Sequence, residues 1–245
     1  MDVMKVLIDH ESEQDVENAG VNREKHVLYG IAGINIGIFA QMVHNATANM
    51  KKYLKGGAYL VTLRAIINKG TQWTFDLEFD DQKHPVQNAT VQSLDITNVQ
   101  FAGPNIFCPM TYINDGQIEV LRNTKKITFG MLGDIQKKAE QGGLSIYEYN
   151  WNKCTSVRII NKNTGSDGNK EEQVLGIDGE NFFFKDFLKI STLKEEIEVI
   201  VDLDTIYKVG YGPVEERKAP PKPKSKAWAW ILASVAAVGA AILFM

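Results

Sequence analysis

The chain has 245 residues, of which 44% are hydrophobic and 23% charged, a composition that supports a folded core and excludes a disordered chain. Five of its 27 basic side chains lie in residues 217–226, which leaves 22 basic against 30 acidic side chains in residues 1–216. This excess of negative charge argues against a nucleic-acid partner, because binding phosphates requires clustered cations. Cys108 and Cys154 form neither a disulfide framework nor a zinc motif, and residues 1–24 lack the apolar core of a signal peptide.

The first predicted elements are strands followed by helices. Residues 1–24 are acidic with few apolar anchors, which predicts a polar lead-in before a domain that begins at residue 25. His26–Phe39 is apolar and contains spaced glycines, as one or two buried strands do. Apolar residues then recur at helical spacing in Ala40–Tyr53 and Ala58–Ile67.

Strand patterns dominate the middle of the chain. Apolar and polar residues alternate in Thr71–Asp80, which predicts a half-buried strand. Gln87–Phe101 is typical of one long strand or two. Asn114–Gly116 predicts a turn before a strand at Gln117–Leu121. Ile127–Glu140 returns to helical spacing.

The last third alternates strand patterns with polar turns. The β-rich segment Ser156–Ile160 precedes a long polar loop, Asn161–Lys170, which we interpret as a hairpin loop. Val174–Ile177 leads into Asp178-Gly179, and Ile197–Val201 ends the domain.

Strand patterns thus outnumber helical patterns by more than two to one. The fold class that this predicts is mainly β (α+β), a two-sheet β-sandwich with a few short helices over residues 25–212.

The C-terminal residues predict a membrane anchor. Ala227–Met245 has no charged side chain. As a helix it spans roughly 28 Å at 1.5 Å per residue, close to the ~30 Å thickness of the hydrocarbon core. Residues 213–226 form a linker rich in proline and basic side chains, and cationic flanks mark the cytosolic side. We therefore expect a single-pass, tail-anchored protein of the endoplasmic reticulum or another organelle, with its main domain in the cytosol.

Local motifs assign no chemistry to the chain. The sequence has no G-x-x-x-x-G-K-[ST] phosphate loop, no G-x-G-x-x-G, no H-E-x-x-H and no G-x-S-x-G. Its four histidines are scattered without the spacing of metal ligands.

A set of short pieces nevertheless stands in a characteristic order between Val27 and Leu203. The pieces are Gly37–Ala40, Lys55–Tyr59, Trp73–Phe79, Ala102–Pro104, Cys108-Pro109, Asn114–Val120 and Ile177–Glu180. In this order and spacing they resemble the C-terminal lobe of the diacylglycerol, sphingosine and ceramide (YegS-like) lipid kinases. The resemblance implies a β-sandwich lobe that completes a lipid cleft and supplies acidic groups to it.

The resemblance singles out Asp178 and Glu180 as candidate catalytic residues. They match the family's D-G-E motif, in which the aspartate is the proposed general base and the glutamate a second acidic site residue. A carboxylate within reach of a lipid hydroxyl can remove its proton during transfer. Asp-Gly between short strands is equally typical of a tight hairpin turn, so both interpretations stay open. As a turn residue alone, Asp178→Asn should change the free energy of unfolding by well under ~1 kcal/mol.

Two departures from the family pattern imply lost catalysis. Phe39 stands where many relatives have an aspartate. The segment Pro109–Glu119 keeps only Asp115 and Glu119, where many relatives hold a structural magnesium ion with several acidic residues. Because Mg²⁺ needs several oxygen ligands, we expect no metal site.

Two further features have alternative interpretations. Lys51, Lys52 and Lys55 could meet anionic headgroups or form a solvated helix end. Phe182–Phe184 could line a lipid cleft or form a strand buried on both faces.

Three hypotheses about function follow. In such kinases a G-G-D-G-T segment binds the nucleotide, and residues 1–24 contain none. We therefore expect no cofactor, with ATP and Mg²⁺ entering only if a separate nucleotide-binding lobe is supplied. The first hypothesis is a non-catalytic relative that binds a membrane lipid or a partner at the cytosolic membrane face. The second is half of a split or truncated lipid kinase whose protein partner carries the nucleotide lobe. The third is a membrane adaptor that uses the sandwich to bind proteins.

Overall fold

The computed structural model of the chain describes residues 2–80, 85–99, 101–102, 105–106, 111–128, 130–131, 149–194 and 196. The main elements are two antiparallel sheets of six strands each, so the predicted mainly β fold with two sheets and few helices is confirmed. The strands of sheet A are β1 (Val3–Ile8), β2 (Val27–Gly30), β4 (Trp73–Phe79), β5 (Val86–Val91), β11 (Ser156–Asn161) and β14 (Phe187–Leu193). Their order across the sheet is β2-β1-β14-β11-β4-β5.

Sheet B contains the strands that carry most of the candidate residues. These strands are β3 (Gly33–Gly37), β6 (Ser93–Thr97), β9 (Ile118–Asn123), β10 (Tyr149–Cys154), β12 (Gln173–Ile177) and β13 (Glu180–Phe184), in the order β10-β9-β6-β3-β12-β13. A separate ribbon consists of β7 (Phe101–Ala102) and β8 (Asn105–Ile106).

One hydrophobic core joins the two sheets. In β4, alternate residues are buried and half-buried as the sequence predicts, with Phe75 and Leu77 fully enclosed. They belong to the same buried cluster as Ile34 and Leu94 of sheet B. Burying one such side chain contributes about 1.5–3 kcal/mol, so this shared core holds the sheets together.

The expected polar lead-in over residues 1–24 is wrong for its first third. Val3–Ile8 forms β1, which lies between β2 and β14. All of its residues except Lys5 are buried. Its six residues include five apolar ones, enough for a buried strand inside an acidic segment. The sheet therefore begins at residue 3 and not at residue 25.

Five helices occur in the described part of the chain: α1 (Glu13–Asn18), α2 (Arg23–His26), α3 (Ile38–Asn45), α4 (Ala48–Leu54) and α5 (Gly57–Lys69). The helical pattern of Ala40–Tyr53 is divided between α3 and α4, because Thr47 caps α4 by accepting a hydrogen bond from the N–H of Met50. Helix α3 packs on β3, β12 and β13 and also contacts α5.

Several other expectations change or remain open. Gln87–Phe101 contains two strands, β5 of sheet A and β6 of sheet B. The loop Asn161–Lys170 connects β11 of sheet A to β12 of sheet B, so it is not the hairpin loop that was expected. Ile197–Val201 and most of Ile127–Glu140 lie outside the described residues. So does Ala227–Met245, and no helix within the described ranges combines the length and apolarity of a membrane span.

Candidate functional site

Asp178 occupies the turn between β12 and β13. The strands close on the pair Ile177 and Glu180, which leaves Asp178 and Gly179 as a two-residue loop. Both have positive φ, +48° and +92°, as a type I′ hairpin turn requires. Aspartate and glycine are the residues that reach this conformation at low cost. The hairpin-turn interpretation of Asp178-Gly179 is therefore confirmed as geometry.

The carboxylate of Asp178 binds three successive backbone N–H groups of the loop between β2 and β3. Its Oδ2 accepts from Ile31 at 2.6 Å, and its Oδ1 accepts from Ala32 and Gly33 at 2.9 Å each. A carboxylate has about four acceptor positions, so about one remains open. Since β2 belongs to sheet A and β3 to sheet B, this side chain fixes the crossing between the two sheets.

Asp80 repeats this arrangement at the end of β4. It has a φ of +46°, and its Oδ1 accepts from the N–H groups of Thr155 and Ser156 at 2.7 and 2.8 Å. The hydroxyl of Thr155 donates to the same oxygen at 2.6 Å.

Asp9 repeats it again after β1. Its φ is +57°, and its carboxylate accepts from the N–H groups of Lys185, Asp186 and Phe187 at 3.1, 2.7 and 2.8 Å. Asp9, Asp80 and Asp178 each follow directly on a strand, so one structural device is used three times, and Asp178 is one instance of it.

Glu180 lies beside Asp178 but has a different environment. Asp178, Gly179 and Glu180 are all exposed. Among the described residues, no side-chain hydrogen bond or ion pair involves Glu180. The structure thus brings the two candidate catalytic residues into one exposed turn, in which only the aspartate is held.

A second cluster surrounds the turn predicted at Asn114–Gly116. Lys153 of β10 donates to Asp115 at 2.6 Å, and its ammonium lies 3.3 Å from the carboxylate of Glu119. Burial raises the pKa of Glu119 to about 7, although the charge of Lys153 opposes this. Burial lowers the pKa of Lys153, but the hydrogen bond to Asp115 and the charge of Glu119 raise it above its usual range on balance. A single lysine therefore pairs with both acidic residues that this segment keeps.

Hydrogen bonds place both clusters at the same end of the sandwich. The Thr97 hydroxyl donates to the carbonyl of Ala32, the residue whose N–H binds Asp178. In the sheet register Thr97 pairs directly with Glu119. The N–H of Gly116 in turn donates to Asp2 at 2.6 Å. We call this region the Asp178 end.

Asp95 is a buried acidic residue that the sequence did not single out. It pairs across β3 and β6 with Asn35, whose amide donates to its Oδ1 at 2.8 Å, while its Oδ2 has no partner. Burial raises its pKa to about 7, against the hydrogen bond from Asn35. The only local signal was an acid between the apolar residues Leu94 and Ile96, and that pattern is also typical of an exposed strand face.

The structure also shows the surroundings of Phe39 and of the aromatic run Phe182–Phe184. Phe39 is half-buried and packs against the core, so it contributes to packing. Phe184 is buried, but Phe183 is 42% exposed and contacts His44 edge-on, so a strand buried on both faces is wrong. Within the described ranges, no three His, Cys, Asp or Glu side chains are placed to share a metal ion.

No protein-family profile and no curated protein sequence matches this chain. Solved structures do match, including three described as diacylglycerol kinases of Bacillus anthracis str. Sterne, two of these descriptions being provisional. The identities are 15, 12 and 17% and the TM-scores 0.49, 0.44 and 0.48. Each match covers 79% of this chain and 54, 50 and 55% of the other, so this chain spans about half their length.

These are structures of the family that the ordered sequence pieces resemble. With TM-scores below 0.5, these matches carry no argument about the activity of this chain.

Proposed function

We propose that this chain is a lipid-kinase-like β-sandwich lobe, held at the cytosolic face of a membrane by Ala227–Met245, that binds a lipid or a protein partner. By itself it transfers no phosphate. The observation that supports this most is the state of Asp178, whose carboxylate accepts three backbone hydrogen bonds, as that of Asp9 does, while Asp80 accepts two from the backbone and one from a hydroxyl.

The chemistry of phosphoryl transfer supports the same proposal. Such transfer depends on groups that hold the phosphates and on metal ions that neutralise the developing charge. In the Asp178 end, Lys153 already pairs with Asp115 and Glu119. The hydrogen bonds from Ile31, Ala32 and Gly33 occupy about three of the four acceptor positions of Asp178, which favours a structural role for this carboxylate.

An assay with labelled ATP tests this proposal. The full chain, purified from its native membrane, would be incubated with Mg²⁺, ATP and a mixture of diacylglycerol and sphingosine. We expect neither phosphorylated lipid nor ATP hydrolysis above background. Lipid phosphorylation that Glu180→Gln abolishes, and that Glu172→Gln leaves intact, would overturn the proposal. Glu172 is a suitable control because it is equally exposed and lies on the same stretch of chain.

The exposure of the Asp178–Glu180 turn favours a second candidate function. A nucleotide-binding lobe supplied by a protein partner would find both carboxylates accessible at the Asp178 end. The chain would then form half of an ATP-dependent lipid kinase. Co-purification of an ATP-binding partner, with lipid phosphorylation that depends on Glu180, would support this candidate over the first.

A further inference from the structure

The helical layer formed by α3, α4 and α5 has an unusual distribution of charge. No Asp or Glu occurs between Glu24 and Asp76, although residues 1–216 carry 30 acidic side chains. On or between these three helices stand five basic side chains, Lys51, Lys52, Lys55, Arg64 and Lys69. A cationic layer is therefore built onto a domain whose overall charge is negative.

Helix α4 is the most exposed part of this layer. None of its seven residues is buried, although short helices draw most of their stability from packing. Tyr53 is 75% exposed and Leu54 is 36% exposed. Together with three lysines they form a continuous run, Lys51 to Lys55, which we call the α4 surface.

Within the described part of the chain the lysines of the α4 surface form no ion pair, and neither do Lys25, Lys125 and Lys185; what sets the α4 lysines apart is that three fall within five positions. Lys5, Lys153, Lys162, Lys170 and Lys189 each form an ion pair with a carboxylate. The ammonium of Lys51 instead lies 5.5 Å from the ring of Tyr59, and that of Lys52 5.6 Å from the ring of Tyr53. Within the described residues no carboxylate lies within ion-pair distance of Lys51, Lys52 or Lys55, so all three charges are available to an anionic partner.

We propose that the α4 surface docks onto an anionic lipid bilayer. Lysine stems and an aromatic ring beside an exposed leucine suit the boundary between headgroups and acyl chains, where cations meet phosphates and apolar groups leave water. A nucleic acid or an acidic peptide would bind the lysines but would offer little apolar surface for Leu54 to contact. Each lysine near an anionic surface contributes about fivefold to the binding constant, so the three contribute roughly 100-fold.

This contact differs from the predicted tail anchor and from the Asp178 end. The anchor depends on the apolar run Ala227–Met245 and is insensitive to the charge of the lipid. The α4 surface depends on charge, so the two contributions can be separated by changing lipid composition and salt.

Amide hydrogen exchange of the full chain in lipid nanodiscs tests the proposal. Nanodiscs of phosphatidylcholine alone would be compared with nanodiscs containing 30% phosphatidylserine, a fraction chosen as roughly that of an anionic leaflet. We expect the amides of Ala48–Leu54 to exchange at least about fivefold more slowly with phosphatidylserine, which is the effect of a single lysine contact. The triple change Lys51→Glu, Lys52→Glu, Lys55→Glu should remove this difference.

A matched control carries the same change of charge elsewhere. Lys25, Lys125 and Lys185 are exposed and lie outside α4, and their triple change to Glu should leave the protection of α4 intact. Equal exchange in both nanodiscs, or a difference that survives reversal of the α4 lysines, would overturn the proposal. Protection that appears instead when RNA or polyglutamate is added to phosphatidylcholine nanodiscs would also overturn it.

The test remains decisive if the tail does not insert. In that case the full chain would be sedimented with phosphatidylserine vesicles. Binding lost only in the α4 variant would support the α4 surface while contradicting the anchor, and no binding would contradict both.

Discussion

Asp178 and Gly33 are joined by two hydrogen bonds that run in opposite directions. The N–H of Gly33 donates to the Asp178 carboxylate, and the N–H of Asp178 donates to the carbonyl of Gly33, both at 2.9 Å. The pair connects the β12–β13 hairpin to the first residue of β3, where the chain has just left sheet A. A residue that resembles a catalytic base therefore carries a structural task that can be measured separately.

Asp178→Asn should lower the free energy of unfolding by about 1–2 kcal/mol. Hydrogen bonds to a charged group contribute about 1.5–3 kcal/mol, and the exposure of the Asp178 carboxylate to water reduces this contribution. The asparagine amide would also place a donor opposite the N–H of Ile31 or of Ala32 and Gly33. The sequence alone predicted a change well under ~1 kcal/mol. Urea unfolding of the detergent-solubilised chain measures the difference. Asp80→Asn should cost a similar amount and Glu180→Gln less than ~0.5 kcal/mol, and equal effects of all three would contradict the structural role.

Gly37→Ala should prevent folding or lower stability by more than ~3 kcal/mol. Gly37 has a φ of +89°, and a Cβ there would collide with the carbonyl oxygen of Gln92, which is backbone and cannot move aside. Gly20→Ala is the matched control, because Gly20 also has positive φ (+64°) but open space around its Cβ position. It should cost only about 1–2 kcal/mol for the conformation itself. Circular dichroism melting curves of both variants provide the comparison.

Much of the fold could be predicted from local patterns. The alternation of apolar and polar residues predicted β4. Asp178-Gly179 predicted the hairpin turn, because few residues favour the positive φ that such a turn requires. β1 and β14 were missed because a six- or seven-residue apolar pattern inside a charged segment is hidden by average composition.

The contacts of the candidate site could not be predicted in this way. Asp178 binds N–H groups 145 to 147 positions away, and Asp9 binds N–H groups 176 to 178 positions away. No spacing along the sequence reports such distances, and a bound aspartate has the same local sequence as a free one. Lys153 likewise pairs with an acid 38 positions away. The sequence could therefore suggest which residues are unusual but not which of them are already engaged.

The stability of the chain should fall as pH rises from about 4 to 7. The pKa of Asp95 is raised by burial from 3.8 to about 7, so in this interval the folded state binds more protons than the unfolded state. Stability is then fully present below the unfolded pKa and is lost as pH rises through the folded pKa. At about 1.4 kcal/mol per pKa unit, the loss is at most about 4 kcal/mol.

Asp95→Asn should remove the part of this slope that Asp95 causes, roughly half of it, because asparagine is neutral and its Oδ1 still accepts from Asn35. The measurement is the free energy of unfolding at pH 4, 5.5, 7 and 8 for both proteins. Glu119 adds a similar slope that remains in the variant. A variant that keeps the whole slope would show that Asp95 does not cause it.

Lys153→Met should destabilise the chain by about 1–3 kcal/mol at pH 8, since it leaves the buried carboxylate of Glu119 unpaired. The loss should shrink toward pH 5, where Glu119 takes up a proton and no longer needs a cation. Lys162→Met breaks the more exposed pair with Asp76 and should cost less than ~1 kcal/mol. A loss that is the same at both pH values would contradict this account of the Lys153 cluster.

Removal of Ala227–Met245 should release the chain from membranes washed with high salt. The uncharged run of 19 residues gives far more membrane affinity than the basic linker, whose attraction to lipid is screened within about 3 Å at 1 M salt. At low salt the truncated chain should still bind phosphatidylserine vesicles through the α4 surface. Changing Lys51, Lys52 and Lys55 to Glu in the truncated chain should weaken this residual binding and leave only the part that the basic linker contributes. Sedimentation at two salt concentrations, with and without the lysine changes, measures both contributions. A truncated chain that stays with membranes at high salt would show that Ala227–Met245 is not the anchor.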